Sequence, residues 1–319
     1  MFYKKLMKWM IMLTIMISIS SNSWFIFWIM MEMNMLVFIP ILKQNKMENC
    51  NSMISYFIIQ SFSSILFFMG SSMTMISLFY INETLINISL LIKLAMIPFH
   101  SWLILISETL DYDSFLIILT FQKMIPLFIL DKMKSSISLL MSILSIICSS
   151  IMIYNLKLFK KILIFSSISH LSWMLMIMFS SSNFWMSYMI IYFYMIFCIF
   201  KILKKINIVS MNSMMQMKIS IEDKIKIIIL FMSLGGMPPF IGFFIKFLAI
   251  LIIIKYSIIM MIILILSSLI NIFIYMRMIT PSLMMFNKSN MSINFMKIYK
   301  NFMVSMTIIF TFIMINLIM

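Results

Sequence analysis

The chain of 319 residues has little of what most soluble folds and cofactor sites depend on. Its four glycines, Gly70, Gly235, Gly236 and Gly242, make neither a G-x-G-x-x-G fingerprint nor a phosphate-binding loop, which excludes the common nucleotide sites. Its three cysteines, Cys50, Cys148 and Cys198, are too scattered for an iron–sulfur or zinc site, and two histidines, His100 and His170, make a weak case for haem. No metal site, redox centre or bound cofactor is therefore expected in the chain itself. Any part it takes in redox chemistry would be played inside a larger assembly. Only 10% of the residues are charged, nine are acidic, and Arg277 is the single arginine. Alanine occurs twice, at Ala95 and Ala249, whereas methionine occurs 43 times. Helices could be filled as well by Leu, Ala and Gly, so this usage reads as coding from a strongly AT-biased genome, such as an organelle's.

What is abundant is apolar. Hydrophobic residues make up 64% of the chain and the mean hydropathy is +1.13. Segments of about 20 apolar residues recur from end to end, the length that crosses a bilayer as helix. The fold class expected is all-α: one polytopic membrane domain over residues 1–319, with no soluble domain. Eleven spans are predicted, at 6–22, 24–42, 53–69, 84–104, 114–131, 136–155, 160–180, 185–205, 226–252, 257–278 and 299–319. The 70–83 stretch either extends the third span or is a loop. Connections are short except 206–225 and 279–298, which are polar. No cleavable signal or Arg-rich transit peptide is read before the first span, as expected of a chain made where it is inserted.

The basic residues test this topology. Of the 24, eighteen fall on one side, among them Lys4, Lys5, Lys8, Lys201, Lys204, Lys205 and Arg277, and only Lys132, Lys134 and Lys255 fall on the other. By the positive-inside rule the N-terminus faces the compartment of synthesis and the C-terminus the opposite one. The net charge of +15 is thus mostly topological, and nucleic-acid binding is a poor explanation for lysines that flank spans.

Three lysines, Lys93, Lys123 and Lys246, fall inside spans, as do Glu32 and His170. A charge at the membrane centre costs about 2.5–3.5 kcal/mol on insertion scales. Lys93 stands in the run Leu91-Ile92-Lys93-Leu94-Ala95-Met96-Ile97-Pro98-Phe99-His100-Ser101-Trp102, roughly 15 Å from either end of its span at the helical rise, too far to snorkel easily. Pro98 removes a backbone donor, and such a break is tolerable only where it faces protein or a wet cavity. A second break is predicted at Gly235-Gly236-Met237-Pro238-Pro239, with Lys246 following it. The two breaks lie in the fourth and ninth spans. An odd number of helices separates them, so two five-helix units, about 6–131 and 136–278, would be oppositely oriented, followed by a C-terminal helix at 299–319. That is the pattern of an inverted-repeat transporter.

Titratable groups at similar depth in five helices suggest a row of proton-exchanging sites, since a lysine and carboxylate mixture can be tuned to exchange protons near neutral pH. The alternative is static interhelical pairing, and for His170 the serines of Ser166-Ser167-Ile168-Ser169 could simply satisfy a packed imidazole. Glu32 is the only acidic residue well inside a span. Charge economy therefore predicts a Glu32–Lys93 ion pair.

These residues carry a resemblance. Lys93-Leu94-Ala95-Met96-Ile97-Pro98-Phe99-His100-Ser101-Trp102 resembles the KLxxxPFHxW motif of the antiporter-like membrane subunits of respiratory complex I, NADH:ubiquinone oxidoreductase. Thr120-Phe121-Gln122-Lys123-Met124-Ile125-Pro126, the stretch from Lys161 through His170 to Trp173, and Gly235-Gly236-Met237-Pro238-Pro239-Phe240 resemble the mitochondrial chain 2 branch of that family, in order. Glu32 matches its early membrane glutamate. The likeness spans residues ~24–280, and eleven helices fit the animal form. Two positions depart: Ile104-Leu105 stand where a Pro-Glu pair is usual, with Glu108 as a candidate substitute, and Ile245 replaces the proline usual before the last lysine.

The resemblance implies a proton-translocating subunit of the membrane arm in the mitochondrial inner membrane, N-terminus in the matrix and C-terminus in the intermembrane space. NADH, FMN, iron–sulfur clusters and ubiquinone would be handled by other subunits of the complex. Neighbouring antiporter-like and small membrane-arm subunits, and bilayer lipid including cardiolipin, would be its partners. A free-standing cation/proton antiporter, which the inverted repeats alone would equally suggest, and a scaffold bundle with no conducting role are the other readings. The chain 2 motifs disfavour the former and the central lysines the latter.

Overall fold

In hydrocarbon every backbone donor and acceptor must be satisfied within the segment, which leaves an apolar chain of this kind only the helix or the closed barrel. The computed structural model describes residues 2–284 apart from 44–46, 75–78, 181–182, 207–209, 211–219 and 239. The described residues form helices α1 (Phe2–Ser20), α2 (Trp24–Leu42), α3 (Met47–Met73), α4 (Phe79–Leu94), α5 (Ser101–Thr109), α6 (Tyr112–Leu119) and α7 (Phe121–Met133). They continue as α8 (Ser136–Ile153), α9 (Phe159–Phe179), α10 (Phe184–Ile206), α11 (Ile221–Gly235), α12 (Ile241–Ile253) and α13 (Ile258–Met284). An isolated antiparallel bridge joins Leu158 to Ser210, and among the described residues there is no strand. The expected C-terminal helix at 299–319 and Pro239 lie outside the described residues.

Seven of these helical stretches are long and apolar enough to cross a membrane. The protein is a multi-pass, all-helical membrane protein. Both expected breaks are present: α4 ends at Leu94 before α5 starts, and α11 ends at Gly235 before α12. The 70–83 stretch is divided, with Gly70–Met73 closing α3 and α4 opening at Phe79. A third interruption was not expected. The span predicted at 114–131 is two helices, α6 and α7, joined at Thr120, whose φ of −118° and ψ of −82° leave the helical region. There the Leu116 carbonyl accepts from both the Thr120 N–H, at 3.1 Å, and the Thr120 hydroxyl, at 2.6 Å.

Serine is common inside these helices, and its hydroxyls are satisfied locally. Ser138, Ser142, Ser145 and Ser149 each donate to the carbonyl three residues back. A hydroxyl bonded in this way costs little in an apolar surround.

The chain divides into two compact units, Met1–Ser145 and Ile146–Met319. In the first, α3 packs on α2, α4 and α5, and α7 packs on α1, α2, α4 and α6. In the second, α9 packs on α10 and α12, while α11 packs on α10, α12 and α13. Every residue of α9 from Ile162 to Met178 is buried, so this helix is the core of its unit. Apolar residues such as Trp9, Met16, Ile259, Leu266 and Phe273 are exposed, as suits surfaces that meet lipid or other membrane segments. In lipid, helices associate through close packing rather than by escape from water, so small residues matter at contacts. Gly242 is such a contact: a Cβ there would lie 1.6 Å from the Ser233 carbonyl oxygen of α11.

Candidate functional site: two broken helices and their lysines

A helix that stops in an apolar surround must satisfy its last carbonyls. At the first break Ala95 takes the left-handed conformation, φ 55°. The Ala95 N–H then donates to Ile92 O at 3.0 Å and the Met96 N–H to Leu91 O at 3.1 Å. This crossed pair is the Schellman closure of a helix end. A further turn bond runs from Phe99 N–H to Met96 O at 2.6 Å, and the Trp102 indole N–H donates to Ile92 O at 3.1 Å. The tryptophan of the motif thus returns to bind the end of the helix that precedes it.

The second break repeats the same backbone. Gly236 is left-handed, φ 85°; its N–H donates to Ser233 O at 3.2 Å, and the Met237 N–H donates to Met232 O at 3.2 Å. Phe240 N–H donates to Met237 O at 2.9 Å, as Phe99 does to Met96. The two stretches match in sequence as well: Ala95-Met96-Ile97-Pro98-Phe99 against Gly236-Met237-Pro238-Pro239-Phe240. That match was readable in the sequence as a repeated M-x-P-F.

The lysines use the two ends differently. Lys93 is in the last turn of α4 and is only 8% exposed. Lys246 comes from α12 and reaches back over the break. Its ammonium donates to Gly235 O at 2.7 Å and Leu234 O at 3.3 Å, the terminal carbonyls of α11. Both lysines therefore lie at the negative end of a helix dipole.

In the first unit Lys93 and Lys123 line one cavity of about 20 Å³ of room for water centres, enough for one water molecule. Lys123, at the start of α7, is buried. Polar side chains from three further positions complete the wall: Asn34 of α2, and Tyr56 and Gln60 of α3. Gln122 also lines it, and its Nε2 donates to Asn34 Oδ1 at 3.1 Å. The Tyr56 hydroxyl donates to Gln122 Oε1 at 3.5 Å, the outer limit of such a bond. Sequence reasoning did not single out these amides or this tyrosine. The signal was present, since Asn34, Gln60 and Gln122 are amides in the middle of apolar runs.

Glu32 is not in the cavity wall. It is half-buried on α2, and its carboxylate accepts a hydrogen bond from the Ser64 hydroxyl of α3. The expected direct Glu32–Lys93 ion pair is not formed: among the described residues no such contact falls within 4.0 Å. The reason is helical geometry. Asn34, two residues on from Glu32, faces the cavity, and positions two apart do not share a helix face.

His170, on the buried helix α9, has its Nδ1 2.8 Å from the Tyr188 hydroxyl, and the Tyr192 ring lies 4.9 Å from the imidazole, centroid to centroid. Ser166, Ser167 and Ser169 donate to the Leu163, Ile164 and Ser166 carbonyls of their own helix. Of the other residues weighed, His100 Nδ1 is 3.3 Å from Pro98 O in the first break, and Glu108 is exposed near the end of α5. Among the described residues no group of three or more His, Cys, Asp and Glu side chains is gathered that could hold a metal ion.

On the polar flank of the second unit, ahead of the apolar part of α11, Ser220 caps the helix and donates to Asp223 Oδ2 at 2.8 Å. Lys205, at the end of α10, donates to the same oxygen at 2.7 Å. Burial pushes the Asp223 carboxyl up, but the bonds from Lys205 and Ser220 and the neighbouring lysine charges outweigh it. Together they hold the group below the ordinary carboxylate range.

Residues 21–271 match the family described as NADH:quinone oxidoreductase/Mrp antiporter, TM. The chain belongs to this family of membrane subunits. It is 49% identical to NADH-ubiquinone oxidoreductase chain 2 of Rhipicephalus sanguineus, over 98% of this chain and 99% of that one. Its fold is similar to a chain of respiratory complex I from Thermus thermophilus, with a TM-score of 0.79 at 17% identity, covering 88% of this chain and 71% of that chain. It is similar also to a chain of the Mrp complex from Dietzia, TM-score 0.75 at 13% identity, covering 84% and 58% of the two chains.

Proposed function

We propose that the chain is a proton-translocating core subunit of the membrane arm of NADH:ubiquinone oxidoreductase. The observation that carries this reading is a buried lysine at the carbonyl end of each of two intramembrane helix breaks, in a member of this family. In this reading the groups that exchange protons are Glu32, Lys93, Lys123, His170 and Lys246, and the breaks at Pro98 and at Gly235, Gly236, Pro238 and Pro239 set their positions. The protein crosses the mitochondrial inner membrane eleven times, with its N-terminus in the matrix and its C-terminus in the intermembrane space. The matching M-x-P-F turns support two five-helix repeats at about 6–131 and 136–278, with a last helix at 299–319. Electron transfer from NADH through FMN and iron–sulfur clusters to ubiquinone takes place in other subunits, and this chain holds no redox group. Adjacent antiporter-like and small membrane-arm subunits, and anionic lipid such as cardiolipin, cover its apolar flanks.

The step itself needs no covalent chemistry. A proton held on one lysine passes through water to the next, and a charge moved at Glu32 changes which lysine holds it. Without a direct pair, Glu32 acts on Lys93 across the protein, so the influence is weaker and more readily reversed than a contact ion pair. Lys93→Met in the assembled complex should strongly reduce proton pumping while NADH-to-quinone electron transfer continues. Full proton-to-electron stoichiometry in that variant would reject the reading.

A second reading, a free-standing cation/proton antiporter, draws on the fold shared with the Mrp chain. Migration on native gels separates the two. The first expects comigration with an NADH-oxidising assembly, and the second expects a small oligomer with cation-dependent transport.

A further inference from the structure

The cavity shared by Lys93 and Lys123 raises a problem of solvation. An ammonium has three donors and no acceptor, so a buried one needs oxygens around it. No carboxylate is among the described residues that line this cavity. Its acceptors are neutral: the amides of Asn34, Gln60 and Gln122 and the Tyr56 hydroxyl. Pro126, also in the wall, has no N–H to give to the Gln122 main-chain carbonyl four residues back, which leaves that oxygen without its usual helical donor.

Gln122 is the centre of this arrangement. Its amide is engaged at both ends, donating to Asn34 Oδ1 and accepting from the Tyr56 hydroxyl. Those two bonds fix which end of the amide is oxygen. They also join α2, α3 and α7 at the level of the lysines. Each amide oxygen in the chain has a second lone pair that can face the cavity water.

We propose that Gln122 is a positioning residue for proton exchange between Lys93 and Lys123: with Asn34 and Tyr56 it forms a neutral acceptor lattice that orients the cavity water and solvates the proton on either lysine without trapping it. Oriented amide dipoles in a low-dielectric site stabilise a cation. A carboxylate in the same place would bind one ammonium tightly and hold its proton. A neutral acceptor lets the charge move, because the lattice itself adds no fixed counter-charge beside either lysine. The titratable groups around the cavity are consistent with this. Lys93 and Lys123 are in the wall with Tyr56, while Glu32 faces Ser64 outside it and Glu108 is exposed on α5. This inference rests on the reading that the lysines carry protons.

The test uses the whole complex in sealed vesicles, measuring protons pumped per electron pair alongside the rate of quinone reduction, across pH. Gln122→Leu keeps approximate volume and removes both amide bonds. It should lower pumping while quinone reduction and assembly persist. Gln122→Glu keeps the acceptor towards Tyr56, and Asn34 can rotate its amide to donate. It should assemble normally, pump less near neutral pH, and recover as pH rises by about one unit, where the new charge no longer holds the proton. Normal pumping in Gln122→Leu, or a Gln122→Glu profile with no displacement along pH, would reduce the network to helix packing and overturn the proposal. Lys123→Met in the same vesicles separates the two failures. If Lys123→Met pumps normally, the reading of the lysines fails. If it stops pumping while both Gln122 variants are normal, only the role of Gln122 fails.

Discussion

The two helix breaks share a backbone and differ in where the lysine comes from. At the first, the left-handed residue is an alanine, and Lys93 sits on the helix that ends, facing a cavity lined by amides. At the second, the left-handed residue is a glycine, and Lys246 comes from the helix that follows, lying across the break onto the terminal carbonyls. The choice of residue follows from the placement of the lysine. A Cβ at Gly236 would be 2.9 Å from Lys246 Cδ and 3.2 Å from its Nζ, so only glycine leaves room. Ala95 carries its methyl at the modest cost of the left-handed region, about 1 kcal/mol. The turn is therefore one solution to closing a helix among apolar neighbours, and the lysine can be delivered to it from either side. Lys93 lines a cavity walled by amides; Lys246 is capped by backbone.

Four substitutions or conditions would break or sharpen that comparison. The largest effect is expected at Gly242, which follows Phe240 by two residues as Ser101 follows Phe99. A methyl there would meet the Ser233 carbonyl at 1.6 Å, so α12 must move away from α11. Gly242→Ala should cost more than about 3 kcal/mol and be read as lost assembly, whereas Ser101→Ala should assemble normally.

Next is Gly236→Val. A β-branched residue at φ 85° is strained and collides with Lys246, for a cost of about 2–3 kcal/mol. Pumping should fall more than assembly. Normal pumping in an assembled Gly236→Val complex would mean that the second break is structural only. Smaller still is Ala95→Gly, which removes left-handed strain but loosens the unfolded chain, a net change within about 1 kcal/mol. Thermal stability and pumping should stay near normal. A large loss there would show that the alanine methyl does more than fill space.

The smallest effect is a pH dependence outside the membrane. Asp223 is held below the ordinary carboxylate range in the folded protein, so its contribution is present above the unfolded value of about 4 and lost as pH falls through the folded one. Thermal melting should be flat in this respect between about pH 5 and pH 7, where the pH lies about one unit or more above that value. It should weaken at lower pH, and Asp223→Asn should remove that part of the slope. Lys205 is largely exposed, so the pair itself contributes less than about 1 kcal/mol.

Much of the site was legible because the membrane makes exceptions visible. A lysine, a proline or a double glycine in a 20-residue apolar run has no cheap explanation, so Lys93, Lys123, Lys246, Pro98 and Gly235-Gly236 could be picked out one by one. The pairing of Glu32 with Lys93 could not. It depended on which face of α2 the carboxylate occupies relative to α4, and the cavity-facing position belongs to Asn34. The interruption at Thr120 was missed because a threonine carries no strong break signal.

The sequence alone determined the helical membrane class of the protein and two of the three places where its helices break, because each of these follows from local chemistry in a solvent that does not hydrogen-bond. Only the tertiary structure decided which groups meet: that Lys93 and Lys123 share one cavity, that Gln122 bridges Asn34 and Tyr56 beside them, that Lys246 folds back onto Gly235, and that Glu32 turns to Ser64. Contacts between helices depend on their rotation and on a few tenths of an ångström of packing around residues such as Gly236 and Gly242, and neither quantity is written in the spacing of residues along a single helix.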